Sequence, residues 1–385
     1  MKKGYNETWV ENINNQKIID DWFFRKLIND EQRRAAHQSF PVGFNQSNTI
    51  IKIGLFIFTW IAIAASIGMI TLLTYDIFDQ IFYGYSFTCL IYTAFFVYFL
   101  EYFIKNNKFY RSGVDNALIY ALAGSAFGAI IGFTDFSLPN WIYCIIALLI
   151  LLPIILRYAD PIVAIVAYLT WLALWFFLTT KYPIGKVIIP LIMMLVSAIT
   201  YFLVEFWKKK EIGNYYSEAQ NIIKILALTT FYLGGNYLIV REGNALLNDL
   251  TKSVQIDFAP LFYSFSSIIP LFYIVYGLRK HDRKFLLVGI VTAAFSIFTY
   301  RYYFSVLPLE LALTIGGFLL VGVCIWAIRS LKTQKFGLTS EAIGTNEYKN
   351  LEALIINQTT QQSSQPTKTD FGNGDFGGGG AGSGY

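Results

Sequence analysis

Charge is scarce in this 385-residue chain: Asp, Glu, Lys and Arg make up 14% of it against 55% hydrophobic residues, and mean hydropathy is +0.48. A soluble domain of that size needs more polar surface than this supplies, so hydrocarbon has to accept most of the side chains. Cysteine is also rare. Cys89, Cys144 and Cys324 each fall in a different apolar segment, which suggests neither a disulfide framework nor a thiolate metal site and leaves three small core residues. His37 and His281 are the only histidines, and neither has a partner at ligand spacing, so no metal centre or metal cofactor is expected. There is no apolar run before about Ile50, so a cleavable signal peptide is not expected either. The net charge of +5 comes from short basic clusters between apolar runs, which argues against nucleic acid as a partner.

What is abundant is apolar sequence in lengths that fit a bilayer. A hydrocarbon core about 30 Å thick needs about 20 helical residues, and ten stretches come near that length. They run from Ile50 to Thr74, Phe82 to Ile104, Val114 to Thr134, Asn140 to Leu156, Pro161 to Thr179, Val187 to Phe206, Ile222 to Val240, Phe258 to Leu278, Phe285 to Phe304 and Leu307 to Ile328. The expected fold is therefore all-α, a polytopic integral membrane bundle of about ten transmembrane helices. Basic residues gather in alternate connections, with Lys105, Lys108 and Arg111, then Arg157, then Lys208 to Lys210, then Arg279, Lys280, Arg283 and Lys284. By the positive-inside rule these face the cytoplasm together with both ends of the chain, which points to the inner (cytoplasmic) membrane.

Two appendages flank the spans, residues 1–49 and 329–385. Residues 16–39 read as a short helical hairpin, with Ile18, Ile19, Trp22, Phe23 and Leu27 as an apolar stripe and Asn29-Asp30-Glu31-Gln32 as a cap followed by an acidic first turn. The last residues, a Gln/Ser/Thr stretch and a glycine run, cannot bury enough apolar surface to fold. Trp22 and the run from Leu27 to Gln32, followed by an uninterrupted array of spans, resemble a widespread bacterial family of polytopic membrane proteins with no assigned biochemical function. That resemblance implies the fold but no activity, and it carries over no catalytic residue. The glycine-rich end is similar to C-terminal tails on assorted bacterial membrane-associated proteins.

Two constellations stand out within the spans. Gly124, Gly128 and Gly132 in the third recur every four residues, so one helical face is stripped of side chains and lets another helix approach closely. In the eighth span, Pro260 and Pro270 bracket Ser264, Ser266 and Ser267. An ordinary proline kink is the first reading, and a discontinuous helix lining a solute path is the second. Ionisable groups such as Glu101, Asp115, Asp160, Glu205 and Arg301 all lie near span ends, which suits salt bridges fixing helix ends better than a proton relay.

No serine elbow, zincin helix, nucleotide loop or paired catalytic carboxylates occur, so the expected role is not enzymatic and no cofactor is implied. The leading expectation is a carrier or permease for a small neutral solute or lipid, with the third and eighth spans lining the path. The alternative is a membrane scaffold or sensor subunit that recruits membrane or cytoplasmic protein partners through its arm and tail. Membrane lipids are expected partners in either case.

Overall fold

The computed structural model describes residues 3–45, 48–78, 83–208 and 215–304, with isolated helical positions between 311 and 329. Among these the chain is all-α, with no strand beyond a lone bridge between Asn45 and Phe109. The helices are α1 (Glu7–Phe24), α2 (Asp30–Ser39), α3 (Thr49–Phe78), α4 (Gly84–Asn106), α5 (Val114–Thr134) and α6 (Asn140–Tyr158). They continue as α7 (Pro161–Thr180), α8 (Pro183–Lys208), α9 (Ser217–Gly235), α10 (Tyr237–Leu247), α11 (Ala259–Lys280) and α12 (Arg283–Tyr303). Eight of these, α3 to α8, α11 and α12, are long and apolar enough to cross a bilayer, and α9 and α10, bent by 73° at their junction, together have the length and apolarity of a broken span or a re-entrant loop. The protein is thus a multi-pass membrane protein. The tenth expected span, Leu307 to Ile328, and the glycine-rich tail lie outside the described residues.

Local chemistry sets the boundaries. Ala159 ends α6 in a left-handed conformation, and Asp160 then caps α7 by accepting from the Ile162 and Val163 amides, with Pro161 in the first turn where its missing N–H costs nothing. Asn29 and Gln32 form a reciprocal capping box at the start of α2, as the sequence predicts. The seventh expected span differs: it is a helix, a break and a second helix. Its Gly234-Gly235 pair meets Pro190 and Met194 of α8 and Ile269 and Phe265 of α11 too closely for any side chain, and Asn236 then starts α10 by capping the Leu238 and Ile239 amides.

Buried apolar residues divide into two bodies. One joins the arm to α3–α7, with Tyr5, Phe96, Leu100, Ile119 and Tyr158 at its centre; the other is built on α8–α12 around Tyr232, Ile269, Tyr273 and Tyr237. Because α7 packs on α8 and α9, the two bodies form one bundle. At the arm's face of the membrane a second tie joins them. Tyr215 and Tyr216, just before α9, donate to the carbonyls of Arg157 and Leu156, and Arg111 pairs with Glu218.

Candidate functional site

A cavity of about 1110 Å3 lies between α3, α4 and α5, just above the usual range for small-molecule sites. Its origin is the loose seating of α3. Among the described side chains of that 30-residue helix only Ile63 is buried. A strut ties α3 to α4: the Tyr92 hydroxyl donates to the Ile67 carbonyl at 2.7 Å and lies 2.6 Å from the Thr71 hydroxyl.

The three glycines of α5 set the shape of this groove. Gly132 lies against Ser86 and the Tyr85 ring, so no Cβ fits there. A Cβ on Gly128 would stand at ordinary contact distance, 3.6 Å from Cys89 Sγ and the Tyr85 hydroxyl, while Gly124 faces open space. The three glycines thus meet different surroundings as the helix turns: Gly132 abuts α4, Gly128 just touches it and Gly124 faces the groove, while the Thr93–Ser125 pair holds α4 and α5 together beside Gly124. The wall between is aromatic and hydroxylic: Trp60, Tyr92 and Tyr120 with Thr88 and Ser125, the last 3.0 Å from Thr93. Asp135, at the remote rim, is the only charged group among the described lining residues. Such a wall matches a neutral or amphipathic ligand better than a strongly hydrated ion.

Towards the arm the groove ends on a polar stack. Tyr120 donates to Asp160 at 3.3 Å and Asn116 donates to the same oxygen at 2.7 Å. Beneath it Asp115 is wholly buried, and four donors converge on its carboxylate: the Arg111 and Ser112 amides, the Ser112 hydroxyl and, at 2.6 Å, the Tyr5 hydroxyl. Asp115 and Asp160 thus hold helix ends together. Glu101 does the same with Arg157 and Tyr158, at 2.7 Å each, and Glu205 with Lys224.

Tyr5 lies outside the spans, and burial foremost, then the Asp115 carboxylate, holds its hydroxyl well above the ordinary tyrosine value. A folded-state value raised above an unfolded value near 10 means that docking contributes in full below about pH 10 and loses that contribution as pH rises further. The melting temperature should fall between pH 9 and 11, and by less in Tyr5→Phe, which has no proton to lose there. Tyr110 and Tyr215, also raised chiefly by burial, keep that slope from vanishing. Identical pH profiles for the two proteins would refute the assignment.

The residues singled out in the eighth span belong to α11, which is continuous. Pro260 sits in its first turn, and Pro270, inside, removes the N–H that would meet the Ser266 carbonyl. Ser296 of α12 supplies that donor instead at 2.5 Å, while the Ser266 hydroxyl accepts the Tyr237 amide of α10 at 3.0 Å. Ser267 lies 2.6 Å from the Tyr300 hydroxyl, and Ser264 donates to the Pro260 carbonyl. None of these five residues lines the groove, the 720 Å3 cavity between α5, α6 and α7, or the 640 Å3 cavity beside the bend.

The interrupted helix is instead α9–α10, and its break is a closed polar network. Asn236, with no exposed surface, donates to the Tyr232 hydroxyl at 2.8 Å and to Thr299 at 3.0 Å while its oxygen caps α10, and Tyr232 lies 2.7 Å from Ser296. A signal for this was present in Gly234-Gly235-Asn236, two helix breakers and a cap residue in sequence. Among the described residues no group of three or more His, Cys, Asp or Glu side chains could hold a metal ion. No family model, curated protein or solved structure matches the chain.

Proposed function

We propose that the protein is a carrier of the cytoplasmic membrane, with both ends in the cytoplasm, which binds a small neutral solute or a lipid in the groove between α3, α4 and α5. The observation that carries this reading is the groove itself: large enough for a lipid-sized ligand, walled by aromatic rings and hydroxyls, uncharged except at one rim, and ending on a polar stack at the other. The orientation rests on the Lys and Arg clusters between alternate spans. A scaffold role is the second reading, supported by the exposed Ile18, Trp22, Phe24 and Leu27 on the arm.

The test is retention of ligand. Protein purified in nanodiscs should release a molecule on solvent extraction, detectable by mass spectrometry at near-stoichiometric yield. Gly124→Phe, which fills the open side of α5, should lower that yield about tenfold, since overpacking costs about 1–3 kcal/mol. Ala173→Phe, which reaches only the cavity between α5, α6 and α7, should leave it unchanged. Extraction that finds nothing above the level of bulk lipid in the unmodified protein would remove the carrier and leave the scaffold.

A further inference from the structure

The bend between α9 and α10 borders a cavity of about 640 Å3, within the range for small-molecule sites. α9 follows α8 closely as far as Gly234, where a Cβ would come within 2.9 Å of Met194 and of the Pro190 carbonyl. The chain then turns by 73°, and α10 departs from α8 instead of continuing along it. The space that a straight helix would fill is the cavity, and a Cβ on Gly243, at its wall in α10, would meet nothing within 4 Å. The far end of α10 is tied back to α8 by Lys186, whose ammonium donates to the Leu247 carbonyl at 2.8 Å. The outcome is a wedge between α8, α10 and α11.

Two features name its occupant. The first is the wall, which is largely apolar and includes the exposed Val187 and Leu191 of α8, Leu246 of α10 and Leu261 of α11. Since α8 and α11 are spans, the wedge opens sideways into hydrocarbon. Water finds few partners on such a wall, whereas an acyl chain already stands at its mouth. The second feature is Lys186, in the first turn of α8 and so at the face of the membrane remote from the arm. An ammonium has three protons, and the Leu247 carbonyl takes one. Among the described residues no carboxylate lies within ion-pair distance of Lys186; Asp257, the other charged group on the wall, is exposed and stands outside that reach. A lysine near a span end carries its charge to the interface, and the anion that the interface supplies is a lipid phosphate.

We propose that this wedge is a phospholipid site of the leaflet remote from the arm, in which one acyl chain lies under α10 and the head-group phosphate meets the remaining protons of Lys186. The site is separate from the groove between α3, α4 and α5 and does not depend on the carrier reading.

The experiment uses the full chain in alkyl maltoside micelles with a phospholipid that carries a diazirine at the end of one acyl chain. After illumination, peptide mass spectrometry should find adducts on Leu233 and Phe262, at the wall of the wedge. Gly243→Phe, which projects into the wedge without a clash, should lower these adducts at least tenfold and leave those on the lipid-facing Leu72 of α3 unchanged. Gly124→Phe, which fills the groove, should change neither. Unlabelled phospholipid should displace the probe at a concentration at least fivefold lower than diacylglycerol with the same chains. Lys186→Gln, which keeps a donor for Leu247 and loses the charge, should abolish that preference. Absence of adducts on Leu233 and Phe262, or adducts indifferent to Gly243→Phe, overturns the chain site, and their loss in Gly124→Phe assigns them to the groove instead. Equal displacement by the two lipids in the unmodified protein, or a preference that survives in Lys186→Gln, overturns the phosphate contact.

Discussion

Asn236→Leu is expected to destabilise the protein by about 2–4 kcal/mol, the sum of a lost N-cap and of buried polar groups left without partners. Leucine keeps the branched shape, but its methyl groups are bulkier than the amide, so a smaller steric cost adds to the polar loss. It strips the Leu238 and Ile239 amides of their acceptor and takes the donor from the buried Tyr232 and Thr299. Within a bilayer a single interhelical hydrogen bond averages about 0.6 kcal/mol, because unfolded segments also find partners. Thr299→Val should therefore cost less than 1.5 kcal/mol. Unfolding by a denaturing detergent checks both: the midpoint for Asn236→Leu should shift well beyond that for Thr299→Val. Equal shifts would mean that the break is held by packing against α8 and α11 and not by its polar network.

That network shows where sequence and structure part. Hydropathy averages over a window, and three breaking residues in the apolar run from Ile222 to Val240 do not lower it enough to mark a boundary. Asp160-Pro161 was legible because a charge, a cap and a ring with fixed φ coincide there. The eighth span, for which an ordinary proline kink is the first reading, shows the converse in α11. Its serines and prolines carry the pattern of a discontinuous helix, yet a hydroxyl from α12, thirty positions away, repairs the helix at Pro270, and no local rule can anticipate such a donor. The groove was hidden for a different reason. Lipid is as apolar as a protein interior, so a span that stands off from its neighbours, as α3 does, has the same composition as one that packs. Tyr5 was equally hidden, as one aromatic residue in a polar stretch whose partner lies 110 positions on.

The second large effect is expected at Gly132. Leucine there has to force α5 away from α4, since even a Cβ would collide with Ser86 and come within 2.7 Å of the Tyr85 ring. Ser86 has no exposed surface, so it has no room to yield. Overpacking of this kind costs about 1–3 kcal/mol, and separating two backbones that meet through a glycine belongs at the upper end. The glycine spacing alone treats the three positions as equivalent, whereas their different surroundings predict a gradient. Gly128→Leu should cost roughly half as much, because its neighbours at 3.6 Å include the movable end of Tyr85. Gly124→Leu should leave the melting temperature in detergent near that of the unmodified protein. Three equal losses would mean that Gly124 is covered as closely as Gly132, and the groove would then lack its open side along α5. A graded series at the three glycines therefore tests the groove through stability alone, without any ligand, and so independently of what the groove carries.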